Sequence, residues 1–277
     1  MWRSARVSVV FPTYNERDSI CAAITEFLGD GYVDEVVVVD NNAAPGTAAE
    51  VRRAAAGAPP GVVRLVHEPR QGYGFAIRRG LREATGDLLV VAEPDGTFRG
   101  HDVVKLLAYA DDFDAVYGTR THRQFVWTGA NMGFWLRWGN YAVAKLMEAL
   151  FNGVHLSDVG CTLRLITRPA LQQIAPDFRV GGSFFGPEMM LLSLIAGQSM
   201  AQVPVNYTAR VGASSVTGDP AKAFALGVRM IALILEYRLR AWLSPGFFAC
   251  RKLAKHAKSN EHTAKASSTA NQSTARS

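Results

Sequence analysis

Cysteine is scarce and scattered. Cys21, Cys161 and Cys250 are the only three in 277 residues, and the lack of any C-x-x-C pair argues against a disulfide framework or a cysteine zinc site and fits a reducing, cytosolic setting. Long apolar runs are missing too. A spanning helix needs roughly 18 consecutive apolar residues, and the two nearest approaches are both interrupted: 134–151 by Arg137, Lys145 and Glu148, 224–243 by Arg229, Glu236, Arg238 and Arg240. An export signal is not expected, because the apolar run Val7 to Phe11 is too short for one and ends at Pro12. There is no internal repeat. Charge of one sign is thin over most of the chain: the formal balance is +6, but Arg251, Lys252, Lys255, Lys258, Lys265 and Arg276 face only Glu261 in the last stretch, which leaves residues 1–250 close to neutral. Without a dense basic stripe, nucleic acid is not the expected partner.

What is present is enough apolar material for a real core: 48% of the residues are hydrophobic and 19% charged, which excludes a wholly disordered or collagen-like chain. In the first half, short apolar runs alternate with helical stretches. Val7–Phe11, Val33–Asp40, Val62–His67, Asp87–Ala92 and Ala115–Gly118 read as strands, with helices over Arg17–Leu28, Thr47–Ala56, Gly74–Ala84 and His101–Ala110. That alternation predicts an open α/β sheet. Farther on come a loop, an amphipathic helix over 134–151, helices over Pro169–Ile174 and near Pro187–Ala196, and a strand near Ala201–Tyr207. In the last helix Phe224, Val228, Ile231, Leu235 and Leu239 recur every three or four residues. Such a stripe serves either a membrane surface or the packing of a core. The boundaries that follow are a domain over 1–218, an amphipathic helix over 219–246 and a basic tail over 247–277 whose Ala/Ser/Thr/Lys composition predicts disorder.

In an open α/β sheet, ligands gather at the carboxyl ends of the strands, and the informative residues fall there. Strand one runs into Phe11-Pro12-Thr13-Tyr14-Asn15-Glu16, the second into Asp40-Asn41-Asn42, and a later one into Glu93-Pro94-Asp95-Gly96. Glu93 and Asp95, two residues apart on a tight turn, are either a solvated turn or a seat for a hard divalent cation that also takes substrate phosphates. Arg70-Gln71-Gly72-Tyr73-Gly74 reads as a loop feeding a helix N-terminus. It is either a plain loop or one that approaches a diphosphate, and Ile77 stands where a dinucleotide fingerprint wants a third glycine.

Taken in order, these motifs resemble the family 2 glycosyltransferases of GT-A fold, most closely the dolichyl- or polyprenyl-phosphate mannosyltransferases. The likeness runs over residues 6–218 and extends through Gly118-Thr119-Arg120, Arg137-Trp138-Gly139-Asn140, Asp158 with Arg164, and the stretch from Pro204 to Ser214. The resemblance implies an open, mostly parallel Rossmann-like sheet and inverting, metal-dependent transfer of a sugar from a GDP-mannose-like or UDP-sugar donor to a polyprenyl phosphate. It implies that Pro12, Tyr14, Glu16 and Asp40 line the nucleotide pocket, with Asn41, Arg70 and Gly74 beside them. Glu93 and Asp95 then hold Mg2+ or Mn2+ on the donor diphosphate. Arg120, Arg137, Arg164, Arg210 and Ser214 gather around the acceptor phosphate, a task that suits guanidinium forks. The sequence departs from the family's pattern where Glu93 replaces an Asp, Asn41 replaces the Asp that commonly follows Asp40, Thr97 replaces a Gln and Ser215 replaces a Lys.

Asp95, Glu93, Arg164 and Glu188 are the expected catalytic residues; a hydroxyl acceptor would require a base, Glu188 or Asp158, within hydrogen-bond reach. Two other readings stand beside the first: a soluble glycosyltransferase acting on a hydroxyl of a metabolite or polysaccharide, and a non-catalytic nucleotide-sugar-binding protein. A cytoplasmic protein with peripheral contact to a membrane is the expected setting.

Overall fold

A computed structural model describes residues 1–127, 130, 134–212 and 220–243. Its strands are β1 (Val7–Thr13), β2 (Glu35–Asp40), β3 (Val63–His67), β4 (Leu88–Val91), β5 (Ala115–Thr119), β6 (Arg164–Thr167) and β7 (Met200–Pro204). The helices are α1 (Ile20–Gly29), α2 (Thr47–Ala56), α3 (Tyr73–Glu83), α4 (Asp102–Tyr109), α5 (Phe134–Phe151), α6 (Arg168–Ile174), α7 (Phe185–Ile195) and α8 (Pro220–Leu243).

The strands form one seven-stranded sheet in the order β3-β2-β1-β4-β6-β5-β7. All neighbours run parallel except β6, which is antiparallel to both β4 and β5. The inner strands are buried along nearly their whole length and largely apolar, as strands covered on both faces are, and alternate residues serve opposite layers. Val7, Val9 and Phe11 pack with Ile20, Ile24 and Phe27 of α1 and with Val103 and Leu106 of α4. Val10 points the other way, into a layer with Ile77 and Leu81 of α3, Met147 of α5, Leu191 of α7 and Ile234 of α8. There α3 presses close to the sheet, since a Cβ on Gly80 would stand 2.2 Å from Val10 Cγ1. The open, mostly parallel α/β sheet expected from the sequence is the one observed.

The first-half elements match their expected positions within a few residues, and α5 runs over 134–151 as read. β6 was not expected, and β7 begins one residue earlier and stops three short of the predicted end. The basic tail and its predicted disorder lie outside the described residues. In α8, Met230, Leu233, Ile234 and Tyr237 join the core. Among the described residues no helix is long and apolar enough to cross a membrane.

This topology fixes where a site can form. The chain leaves β1 for β2 and β3 on one side and returns to β4 on the other, so the carboxyl ends of β1 and β4 flank the crevice where strand order reverses. Because β6 runs backwards, its first residue lies at that same edge: Arg164 pairs in register with Val91 near the end of β4 and with Tyr117 on β5.

Candidate active site

Immediately beyond β4 the turn Glu93-Pro94-Asp95 presents two carboxylates. Asp95 is fully buried. Its Oδ1 accepts the Thr97 amide at 2.9 Å and the Thr97 hydroxyl at 2.6 Å, so Oδ2 is the oxygen left to face the crevice. Arg210 meets it there, with Nε at 2.6 Å and Nη2 at 2.5 Å, while Nη2 also reaches Glu93 Oε2 at 3.1 Å. Burial and then the Asp95 charge push the Glu93 carboxyl well above its ordinary range, against the pull of Arg210. Two acids share one cation at hydrogen-bond distance. Hard oxygen donors that already face a positive group fit Mg2+ or Mn2+. Among the described residues no third His, Cys, Asp or Glu completes a metal cluster; a hard cation held by one or two carboxylates ordinarily fills its shell with substrate phosphate and water.

The loop that carries Arg210 is stitched to the acidic turn. Thr208 donates its amide to Thr97 O at 2.9 Å and its hydroxyl to Gly96 O at 2.5 Å, and Val211 N donates to Asp95 O at 2.8 Å. Upstream, the Asn206 amide and side chain donate to Asp102 at 3.1 and 2.9 Å. Asp102, fully enclosed in the first turn of α4, also holds Lys105 at 2.6 Å. Sequence reading missed Asp102, Asn206 and Thr208, because bonds between residues about a hundred positions apart leave no local pattern.

Two cavities meet at this point. The first, of about 350 Å³, is walled by the β1 extension Pro12 to Glu16, by Asn41 and by Gln71 to Tyr73. Glu16 turns its carboxylate back onto the amides of Tyr14 and Asn15, at 2.7 and 2.8 Å, and the Tyr14 ring is exposed at the mouth. Asn41 braces the 68–72 loop: Nδ2 donates to the carbonyls of Glu68 and Arg70, and Oδ1 accepts the Gly72 amide. Asp40, Arg70 and Gly74 lie outside this lining. Asp40 accepts the Ala43 amide, Arg70 pairs with Glu68 at 2.9 Å, and the Gly74 and Phe75 amides are given to Gly181 O. The start of α3 therefore has those donors occupied.

The second cavity, of about 190 Å³, is lined by two cations, Arg120 and Arg164, and by apolar side chains that include Leu136, Leu226 and Met230. Arg120 is clamped by the buried Asp158 through Nε at 2.8 Å and Nη2 at 3.0 Å. Burial alone would raise the Asp158 carboxyl, but the charge and hydrogen bonds of Arg120 outweigh it and hold it below its ordinary value. Arg164, 1% exposed, donates Nη2 to Cys161 O. Among the described residues its Nε and Nη1 have no partner, nor does the buried Tyr73 hydroxyl. Room for that guanidinium depends on Gly186, where a Cβ would stand 2.5 Å from Nη2. Tyr73, Glu93, Ser183 and Arg210 line both cavities.

Two further expected residues, Glu188 and Arg137, line neither cavity. Glu188, expected as a base, is fully buried, and its oxygens are taken up by the Arg179 and Val180 amides and the Tyr237 hydroxyl. It ties α7 to α8 and lines neither cavity. Arg137 is half-buried on α5 away from both linings, and Ser214 lies outside the described residues.

Residues 8–175 match the family model described as glycosyl transferase family 2. An uncharacterised glycosyltransferase of Mycobacterium tuberculosis is 29% identical over 210 residues, 76% of this chain and 88% of that one. The dolichyl-phosphate hexose transferase of Haloferax volcanii is 28% identical over 239 residues, 84% of this chain and 96% of that one. Among solved structures, glucosyl-3-phosphoglycerate synthase of M. tuberculosis, in complex with Mn2+, uridine diphosphate and glucosyl-3-phosphoglycerate, superposes with a TM-score of 0.62 at 20% identity. The match covers 85% of this chain and 80% of that one and is a likeness of fold, in keeping with the GT-A sheet expected from the sequence.

Proposed function

The chain belongs to glycosyl transferase family 2, and from that premise we propose that it transfers a hexose, with inversion, from a nucleotide-sugar donor to a polyprenyl phosphate. The observation that carries this reading is the second cavity. A buried Arg164 with two donors unpartnered among the described residues, in a cavity that Arg120 and the apolar Leu136, Leu226 and Met230 also line, suits a ligand with an anionic head and a hydrocarbon tail. The name of the H. volcanii relative points to the same acceptor class.

In this reading the nucleotide lies along Pro12, Tyr14, Glu16 and Asn41, with Asp40 behind them, and its diphosphate faces Glu93 and Asp95. The hexose sits at the junction lined by Tyr73, Glu93, Ser183 and Arg210. Asp95 and Glu93 would hold Mg2+ or Mn2+, which would supply positive charge where the departing diphosphate develops its negative charge. Arg120 and Arg164 hold the acceptor phosphate on the opposite side of the anomeric carbon, so that direct displacement inverts it. A phosphate is already anionic near pH 7 and needs orienting more than deprotonating. The occupied carboxylate of Glu188 favours this acceptor over a hydroxyl, for which a base within reach would be required.

A lipid acceptor also calls for a membrane contact, on the cytoplasmic face in this reading. The outer side of α8 exposes Phe224, Val228, Ile231, Leu235, Leu239 and Trp242, an apolar stripe suited to the headgroup boundary of a bilayer.

Turnover of labelled UDP- and GDP-hexoses, each with and without a polyprenyl phosphate and a divalent cation, tests the proposal. Lipid-linked product that requires both acceptor and cation supports it. Transfer only to water-soluble hydroxyls would favour the alternative enzyme, and donor binding without turnover would favour a binding protein. Asp95→Ala should abolish cation-dependent turnover.

A further inference from the structure

Arg210 stands in an unexpected place. As a member of the acceptor-phosphate set it should face the second cavity, yet its guanidinium is spent on the two carboxylates of the acidic turn, through Nε and Nη2 to Asp95 Oδ2 and through Nη2 to Glu93 Oε2. We propose that Arg210 holds the metal seat of the unloaded protein and is released to the acceptor's phosphate when a divalent cation takes that seat, so that the acceptor site is completed only after the metal and donor have bound. The inference rests on the reading of Glu93 and Asp95 as the metal seat.

The oxygens decide it. Asp95 Oδ1 is saturated by the amide and hydroxyl of Thr97, so Oδ2 is the one Asp95 oxygen directed at the crevice, and it carries both the shortest contacts of Arg210. A cation seated on Oδ2 and Glu93 Oε2 would share these oxygens with the guanidinium and repel it at close range in a partly dry site. The unloaded protein, in turn, cannot leave the fully buried Asp95 beside Glu93 without a positive partner. Either cation gives the pair a positive partner, and the two compete for the same oxygens.

The exchange needs only side-chain rotation. The Arg210 backbone is held beside the turn by Thr208 and Val211, through bonds to Gly96 O, Thr97 O and Asp95 O. From there the side chain borders both cavities, and the alternative partner is an anion in the cavity that Arg120 and Arg164 line. Arg120 is held by the buried Asp158 through both carboxylate oxygens, whereas Arg210, 23% exposed, is the cation of that wall whose present partners are themselves the expected metal ligands. Metal binding is then taxed by the displacement of Arg210, and removal of the arginine removes the tax.

Mn2+ binding to the full chain, followed by electron paramagnetic resonance or calorimetry without any sugar donor, reads this directly. Arg210→Gln should bind Mn2+ about 5- to 150-fold more tightly than the parent, the usual span for coupled sites, and Arg210→Lys, which keeps the charge, should stay near the parent. Equal or weaker binding by Arg210→Gln overturns the exchange. Asp95→Asn separates this failure from that of the metal seat, since Mn2+ binding that survives Asp95→Asn undoes the seat itself. A readout on the parent protein needs no neutral variant to fold: the arginine Nε–H resonance that vanishes in Arg210→Lys should shift and exchange faster with solvent when Mg2+ is added. A resonance unmoved by saturating Mg2+ overturns the proposal.

Discussion

Asp158 and Glu188 are both fully buried acids, and their surroundings send them in opposite directions. Asp158 receives the Arg120 guanidinium on both oxygens, together with the amides of Arg120 and Gly160. Removing one partner of such a buried pair strands the other's charge and costs about 3–5 kcal/mol, so Asp158→Asn should lower the unfolding free energy by that order in chemical denaturation at pH 7. The pH dependence follows from the depressed carboxyl. Asp158 contributes its full stabilisation above its ordinary value of 3.8 and loses it as pH falls through the lower native value, so the gap between parent and variant should narrow below about pH 4. Glu188 behaves inversely. Burial raises its carboxyl above the ordinary 4.5, against hydrogen bonds that pull it down, and the native protein therefore binds more protons than the unfolded chain above 4.5. Relative to Glu188→Gln, the parent should lose stability as pH rises from 4.5 through the native value, as paired denaturation curves at pH 4 and pH 8 will show. The sequence reveals the acid but not its use: Glu188 opens a helix, where an acid is ordinary, and its Tyr237 partner lies 49 residues away. The acidic turn was legible because its two carboxylates lie two residues apart at the end of a strand. Arg210, by contrast, is an isolated cation whose contact with them depends wholly on the fold.

The helix α8 is apolar on two sides. Met230, Leu233, Ile234, Tyr237 and Ala241 face the core, while Phe224, Val228, Ile231, Leu235, Leu239 and Trp242 face outward. Periodicity in the sequence discloses the second stripe clearly, but periodicity alone does not say which stripe the rest of the molecule covers. Neighbouring residues provide the contrast. Ile234→Ala removes a side chain with no exposure and should cost about 2–5 kcal/mol. Leu235→Ala, at 50% exposure, should stay within about 0.5 kcal/mol, a difference that thermal and urea unfolding of the two variants can resolve. β6 was illegible for another reason. It is four residues long and runs straight into α6, too short for a period of two to stand out, and only pairing with β4 and β5 makes it a strand. Its reversed direction matters to the site, because a parallel strand in that slot would carry Arg164 to the far edge of the sheet.

At the scale of the whole molecule, the apolar and basic features follow one another along the chain. α5 and α8 give the second cavity Leu136, Leu226 and Met230, the exposed stripe runs along α8, and the basic excess comes later in the sequence, in residues 251–277. A near-neutral body gives anionic lipid little purchase of its own, whereas each Lys or Arg close to such a surface contributes about 1 kcal/mol, and half-exposed leucines add apolar area once they enter the headgroup boundary. The two contributions separate by salt. The full chain should float with vesicles containing phosphatidylglycerol and lose part of that binding as ionic strength rises, because screening weakens the tail's share. A chain ending at Ser244 should bind more weakly, with little salt dependence, through the stripe alone. The double change Leu235→Glu and Leu239→Glu should leave thermal stability intact, since both positions already face solvent, and should remove the salt-resistant binding. If the full chain and the chain ending at Ser244 both stay at the bottom of the gradient, no bilayer contact exists, and the acceptor must reach the cavity between α5 and α8 from solution.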